Sequence, residues 1–114
     1  MNYGFVKVCA ATVKIKVADV QFNSRAVVSA IKQAAKQGSQ VIVFPELCLC
    51  GYTCGDLFNQ RTLIEGVEKA IAEIADATSD VTALCFIGAP VVKDGRLYNC
   101  AVAINRGEIQ GVIP

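Results

Sequence analysis

The 114-residue sequence contains no His and no Trp, only three Pro, and only 18% charged residues. Without His, a Ser-His-Asp relay, a zincin helix and a His-bearing zinc finger are excluded within these residues. Eleven Lys and Arg stand against ten Asp and Glu, a formal net charge of +1, and the basic residues are scattered. No electrostatic footprint for a polyanion results, so neither nucleic acid nor an anionic membrane surface is an expected partner. Long hydrophobic runs are also missing. The stretch from Val81 to Val92 is interrupted by Thr82, Gly88 and Pro90, and nothing reaches the roughly 20 apolar residues that cross a bilayer. The opening Met1-Asn2-Tyr3-Gly4 lacks the basic and apolar regions of a secretion signal, so a cytoplasmic location is expected.

What the chain does have is a hydrophobic fraction of 54%, enough for the core of one soluble globular domain. Six cysteines in such a chain are therefore not needed as staples. Cys9, Cys85 and Cys100 lie in apolar runs and read as small buried hydrophobes. Cys48, Cys50 and Cys54 form a tighter group. Their spacing matches no zinc or iron-sulfur pattern, so no metal is expected.

The pattern along the chain is α/β. Residues Phe5 to Val13 alternate as a first strand. Asn23-Ser24 predicts an N-cap for a helix whose Ala26, Val27, Ala30, Ile31, Ala34 and Ala35 recur at helical spacing, with Gly38 as its left-handed stop. Gln40 to Phe44 is a β-branched run of the kind buried on both faces of a covered sheet. A loop from Leu47 to Phe58 leads to a second amphipathic helix, from about Gln60 to Ala77, with a Glu65–Lys69 ion pair on its solvated face. Thr82 to Val92 predicts a strand bent or bulged around Gly88 and Pro90. Asp94-Gly95 and Arg106-Gly107 predict two hairpin turns, which link it to strands at Leu97–Asn105 and Glu108–Pro114. The expected order is strand, helix, strand, helix, then a three-strand meander, with no repeat and no linker. Two helices cover only one face of such a sheet, and the chain reaches Pro114 inside a strand, so a larger domain or a covering partner is expected, in the form of a homo-oligomer.

One residue has a position suited to chemistry. In open α/β sheets ligands bind at the carboxyl ends of strands. Pro45 cannot donate a ladder hydrogen bond and holds Phe44 extended, which ends the strand and leaves Glu46 at its carboxyl end. Flanked by Phe44, Pro45 and Leu47, this carboxyl is expected in apolar surroundings that disfavour its charge and raise its proton affinity, as a general base requires. The alternative role is structural, as a loop cap or the partner of an Arg. No basic residue lies between Pro45 and Gln60 to activate Cys48, Cys50 or Cys54, so these read as structural thiols rather than nucleophiles. Tyr98, Asn99, Asp56, Asp94 and Asn105 read as strand and turn residues without a chemical role.

The run Val41-Ile-Val-Phe-Pro-Glu-Leu47, followed by Gly51-Tyr-Thr-Cys-Gly-Asp-Leu-Phe58, Gly88-Ala-Pro-Val-Val92 and Gly95-Arg-Leu-Tyr-Asn-Cys-Ala-Val102, resembles the nitrilase (carbon-nitrogen hydrolase) superfamily. Within it, the pattern is similar to the glutamine amidotransferase domains of the glutamine-dependent NAD synthetases. The resemblance implies a four-layer αββα sandwich, of which residues 1–114 are the N-terminal portion, incomplete at its C-terminus. It implies a catalytic Glu, Lys and Cys. Glu46 falls on the Glu, the general base, while the Lys and the nucleophilic Cys are expected beyond Pro114, so these residues alone are expected to be inactive. Tyr52 is the candidate substrate-binding residue at the pocket mouth, with a half-buried loop anchor as its alternative reading. The implied substrate is glutamine. No cofactor is expected in this stretch, which has no Gly-rich phosphate loop; ATP and Mg are expected in a separate synthetase domain. A stand-alone amidase or nitrilase and a noncatalytic oligomerisation module are the other readings.

Overall fold

In a computed structural model, residues 4–17, 19–50 and 61–114 are described. They form β1 (Val8–Ala10), α1 (Val20–Lys36), β2 (Val41–Val43), α2 (Arg61–Ala77), β3 (Leu84–Lys93), β4 (Arg96–Asn105) and β5 (Glu108–Ile113). The strands make one sheet in sequential order, β1 parallel to β2 and β2 to β3, then antiparallel through β4 and β5. Each parallel step advances the sheet in the same direction. Right-handed crossovers then bring α1 and α2 to one face, where the two helices pack against each other.

Strand alternation divides the sheet into a covered and an open face. Ile42, Cys85, Ile87, Val102 and Ile104 point toward the helices and are buried against Val27, Ile31, Val67 and Ile74. On the opposite face Val8 is 60% exposed, Val43 39% and Ile113 52%. The expectation that β2 is buried on both faces is therefore corrected: only its helix-facing side is covered. The first strand is also shorter than its alternating sequence implied, because β2 supplies ladder partners only for Val8, Cys9 and Ala10.

The start of α1 differs more instructively. Asp19, not Asn23-Ser24, is the N-cap, its side chain accepting the Phe22 N–H at 3.1 Å. Asn23 lies one turn inside the helix, fully buried. Its carboxamide accepts from the Lys16 N–H at 2.7 Å and donates to the Lys16 carbonyl at 2.7 Å and the Leu49 carbonyl at 2.8 Å. One side chain thereby joins the β1–α1 connection to the segment that follows β2. Asn23→Ala leaves these backbone groups without their partner and is expected to cost about 1–3 kcal/mol. Faster hydrogen exchange at the Lys16 amide, beside unchanged exchange in β4, would report it.

Both hairpin turns form as their sequences predict. Asp94 and Gly95 have φ of 53° and 75°, and Arg106 and Gly107 of 52° and 82°, the left-handed pairs of type I′ turns. Gly38, at φ 88°, ends α1 as expected. Two local expectations are corrected. β3 keeps an unbroken register with β4 through Gly88 and Pro90, and the irregularity falls instead between Ala103 and Ile104, facing β5. Pro90 is tolerated because β2 pairs with β3 only as far as Phe86, so Pro90 has a strand neighbour on one side only. On α2, Glu65 pairs back to Arg61 at 3.0 Å and Lys69 forward to Glu73 at 3.9 Å, in place of Glu65–Lys69. All four side chains are exposed, and such pairs contribute little.

Candidate active site

The segment after β2 is held by three neighbours. Phe44 still donates its N–H to the Phe86 carbonyl at 2.9 Å, after which Pro45 ends the ladder. Leu47 then adopts φ 52°, a left-handed conformation that a large side chain rarely takes. Strain of this kind persists where surrounding contacts fix it, and it collects at functional sites. The fixing contacts are present here. Leu49 N–H and the Cys48 thiol donate to the Gly88 carbonyl at 3.3 and 3.5 Å, Cys50 N–H donates to the Leu47 carbonyl at 3.1 Å, and Asn23 holds the Leu49 carbonyl. Gly88 itself is the floor. A Cβ there would lie 2.8 Å from the Glu46 carbonyl carbon and closer still to Pro45 O and Leu47 N. Only glycine lets the chain cross β3 at this height.

Phe44 and Leu47 turn inward and are buried, whereas Glu46 between them turns outward over the open face of the sheet. The expected apolar burial of Glu46 is thus corrected: its side chain is exposed. The cause is the sheet's second face, over which the 45–47 turn passes at Gly88 and against which neither α1 nor α2 packs. Glu46 nevertheless opens into a cavity of about 230 Å³, whose walls include Phe86, Gly88, Asn99, Ala101 and Ile113. Asn99 Nδ2 donates to Glu46 Oε2 at 3.4 Å, across 53 residues of sequence. From its place in the strand after a hairpin turn, Asn99 is expected to be structural. The signal available was an amide side chain on a strand face whose nearest members, Leu97, Ala101 and Ala103, are apolar.

The remaining sequence candidates divide clearly. Cys48 is buried, and desolvation pushes its thiol up from 9.0 to about 11 despite the Gly88 carbonyl contact. It is a protonated, structural sulfur at neutral pH. Cys85 behaves likewise, its thiol also raised to about 11 by burial, and Cys100, in the cavity wall, is pushed up by the same cause. Cys9, Cys48, Cys85 and Cys100 are free thiols. Tyr52, Cys54 and Asp56 lie outside the described residues. Among the described lining residues of the cavity there is a carboxylate and an amide donor, but no basic side chain and no activated thiol. No three His, Cys, Asp or Glu side chains among the described residues come together as a metal site. No helix among the described residues is long and apolar enough to cross a membrane.

The carbon-nitrogen hydrolase pattern matches residues 7–111. The chain belongs to the carbon-nitrogen hydrolase family. Over 113 residues it is 40% identical to the glutamine-dependent NAD(+) synthetase of Mycobacterium leprae, a match covering 99% of this chain and 17% of that protein. Among solved structures, the glutamine-dependent NAD(+) synthetase of Cytophaga hutchinsonii superposes with a TM-score of 0.86 at 28% identity, covering 94% of this chain and 18% of that one. An amidase from Nesterenkonia sp. AN1 superposes with a TM-score of 0.81 at 19% identity, covering 95% of this chain and 41% of the amidase, a likeness of fold alone. The nitrilase-type α/β architecture expected from the sequence is therefore correct. This carbon-nitrogen hydrolase chain spans only a small part of the length of the synthetases it matches, and its greater identity to them does not favour the stand-alone amidase.

Proposed function

We propose that these residues carry the general base of a glutamine-hydrolysing site, and that they are the N-terminal portion of that domain in a glutamine-dependent NAD synthetase. The observation that carries the reading is the placement of Glu46, at the end of β2 and open to a cavity, in a chain of the carbon-nitrogen hydrolase family. In this reading Glu46 takes the proton of a cysteine thiol supplied from beyond Pro114. The thiolate attacks the side-chain carbonyl of glutamine, and a lysine, also from beyond Pro114, stabilises the oxyanion. Glu46 returns its proton to the departing nitrogen, which leaves as ammonia. Water, giving its proton to Glu46, then cleaves the glutamyl thioester, and glutamate leaves as the thiol is restored. The ammonia amidates adenylated nicotinate adenine dinucleotide at an ATP- and Mg-dependent site outside these residues. Support for that separation comes from the lack of a Gly-rich phosphate loop in the sequence.

The same reading makes the protein cytoplasmic and homo-oligomeric, and it makes the 114 residues alone inactive toward glutamine. The isolated residues offer a base without the two groups it must serve. A labelling experiment tests the function as a whole. The full-length protein, given ATP, nicotinate adenine dinucleotide and glutamine labelled with ¹⁵N in its side-chain amide, is expected to place the label in the carboxamide of NAD. Glutamate release without label in NAD would leave an amidase and remove the synthetase.

A further inference from the structure

We propose that Asn99 is the positioning residue of the site, holding one oxygen of the Glu46 carboxylate so that the other faces the proton it accepts; this rests on the reading of Glu46 as the base. Three observations lead here. Glu46 is exposed and at the end of a strand, where a free carboxylate side chain samples several rotamers. A donation of 3.4 Å from Asn99 Nδ2 to Oε2 restrains that side chain. The backbone of Asn99 is well placed to give such restraint, since β4 pairs it with Pro90 and carries Ala101 opposite Gly88 on the same face. Small residues at 88 and 101 leave the space over the sheet that the 45–47 turn occupies, and the carboxamide of Asn99 reaches into it from beside them. Asn is a poor strand former, and its presence at this apolar face is a local conflict that the contact to Glu46 explains.

The chemistry suits the assignment. An amide N–H donates to one carboxylate oxygen without competing for the proton, so Oε1 remains the acceptor and its direction is fixed. A length of 3.4 Å is long for such a bond, as catalytic contacts commonly are before substrate closes the site. Besides Glu46, Cys100 is the titratable group among the described lining residues of the cavity, and burial pushes its thiol up, away from neutral pH.

The test uses the full-length protein with glutamine as nitrogen source, and ammonia-driven turnover as the control that bypasses this cavity. Asn99→Ala is expected to lower kcat with glutamine by about 10- to 100-fold, the cost of a misplaced catalytic group, with KM for glutamine little changed. Added to Glu46→Gln, Asn99→Ala is expected to cause no further loss, because the two residues act as a unit. Asn99→Asp keeps the shape and sets a second carboxylate beside the first. Two carboxylates in one place do not ionise together readily, so the acid limb of the pH profile of kcat/KM is expected to move up by about one unit or more. If Asn99→Ala loses ammonia-driven turnover as well, the Asn99→Asp limb decides: a raised limb supports positioning, an unmoved one overturns it. Unchanged kcat and unchanged pH profile in both variants, with Glu46→Gln inactive, overturns the role of Asn99 alone. Full glutamine turnover in Glu46→Gln overturns the proposed function itself.

Discussion

In the full-length protein, Glu46→Gln is expected to reduce glutamine-driven formation of NAD by about 10²–10⁴-fold, the range that a positioned general base contributes, while ammonia-driven formation is unchanged. The asymmetry follows from where the residue sits. Glu46 is exposed on the open face of the sheet, so its replacement by an isosteric amide disturbs no core packing. The carbonyl oxygen of Gln can still accept from Asn99 Nδ2. What the amide lacks is a lone pair basic enough to take a proton from a thiol at neutral pH, and the thiolate is the nucleophile. Externally supplied ammonia needs no such step. Steady-state rates with the two nitrogen sources separate the outcomes, and an equal loss with both would make Glu46 a structural residue.

Gly88→Ala is expected to destabilise the domain by about 1–3 kcal/mol, near the upper end, and to lower glutamine-driven turnover with it. The methyl group would meet backbone, not flexible side-chain ends: Pro45 O and Leu47 N, with the Glu46 carbonyl carbon at 2.8 Å. The 45–47 turn must then lift from β3, against the bonds from Leu49 and Cys48 to the Gly88 carbonyl. A displacement of about 1 Å at a catalytic group can cost on the order of 10²-fold in rate. Gly66 in α2 supplies the control, because a Cβ there meets nothing within 4 Å. Gly66→Ala removes a helix-interior glycine and is expected to stabilise by roughly 0.5–1 kcal/mol. Denaturant unfolding of both variants, run beside the glutamine assay, checks the opposite signs.

Features whose cause is local were legible in the sequence. Asp94-Gly95 and Arg106-Gly107 need two consecutive left-handed residues between apolar strands, and those dipeptides supply them at little steric cost. The spacing of Ile64, Val67, Ile71 and Ile74 marks the buried stripe of α2, and Pro45 marks the end of β2. Features whose cause is distant were not. Asn23 looked like a helix cap because Asn commonly is one, and its actual partners include a carbonyl 26 residues away. Asn99 looked like strand filler because its partner is 53 residues away. The left-handed Leu47 follows from Gly88 lying beneath the turn, a close approach that only the β2–β3 pairing creates. The exposure of Glu46 has a related cause: Ile42 and Phe44 share the covered face, and the turn at Pro45 and left-handed Leu47 breaks the alternation that would keep Glu46 on it.

The most direct measurement is a structure of the full-length protein with glutamine held as its thioester on the attacking cysteine. A carboxylate oxygen of Glu46 about 3 Å from the thioester sulfur or from the water poised to cleave it, with Asn99 on the other oxygen, is the predicted arrangement. A Glu46 side chain turned to solvent, with a different group in contact with that sulfur, would contradict it.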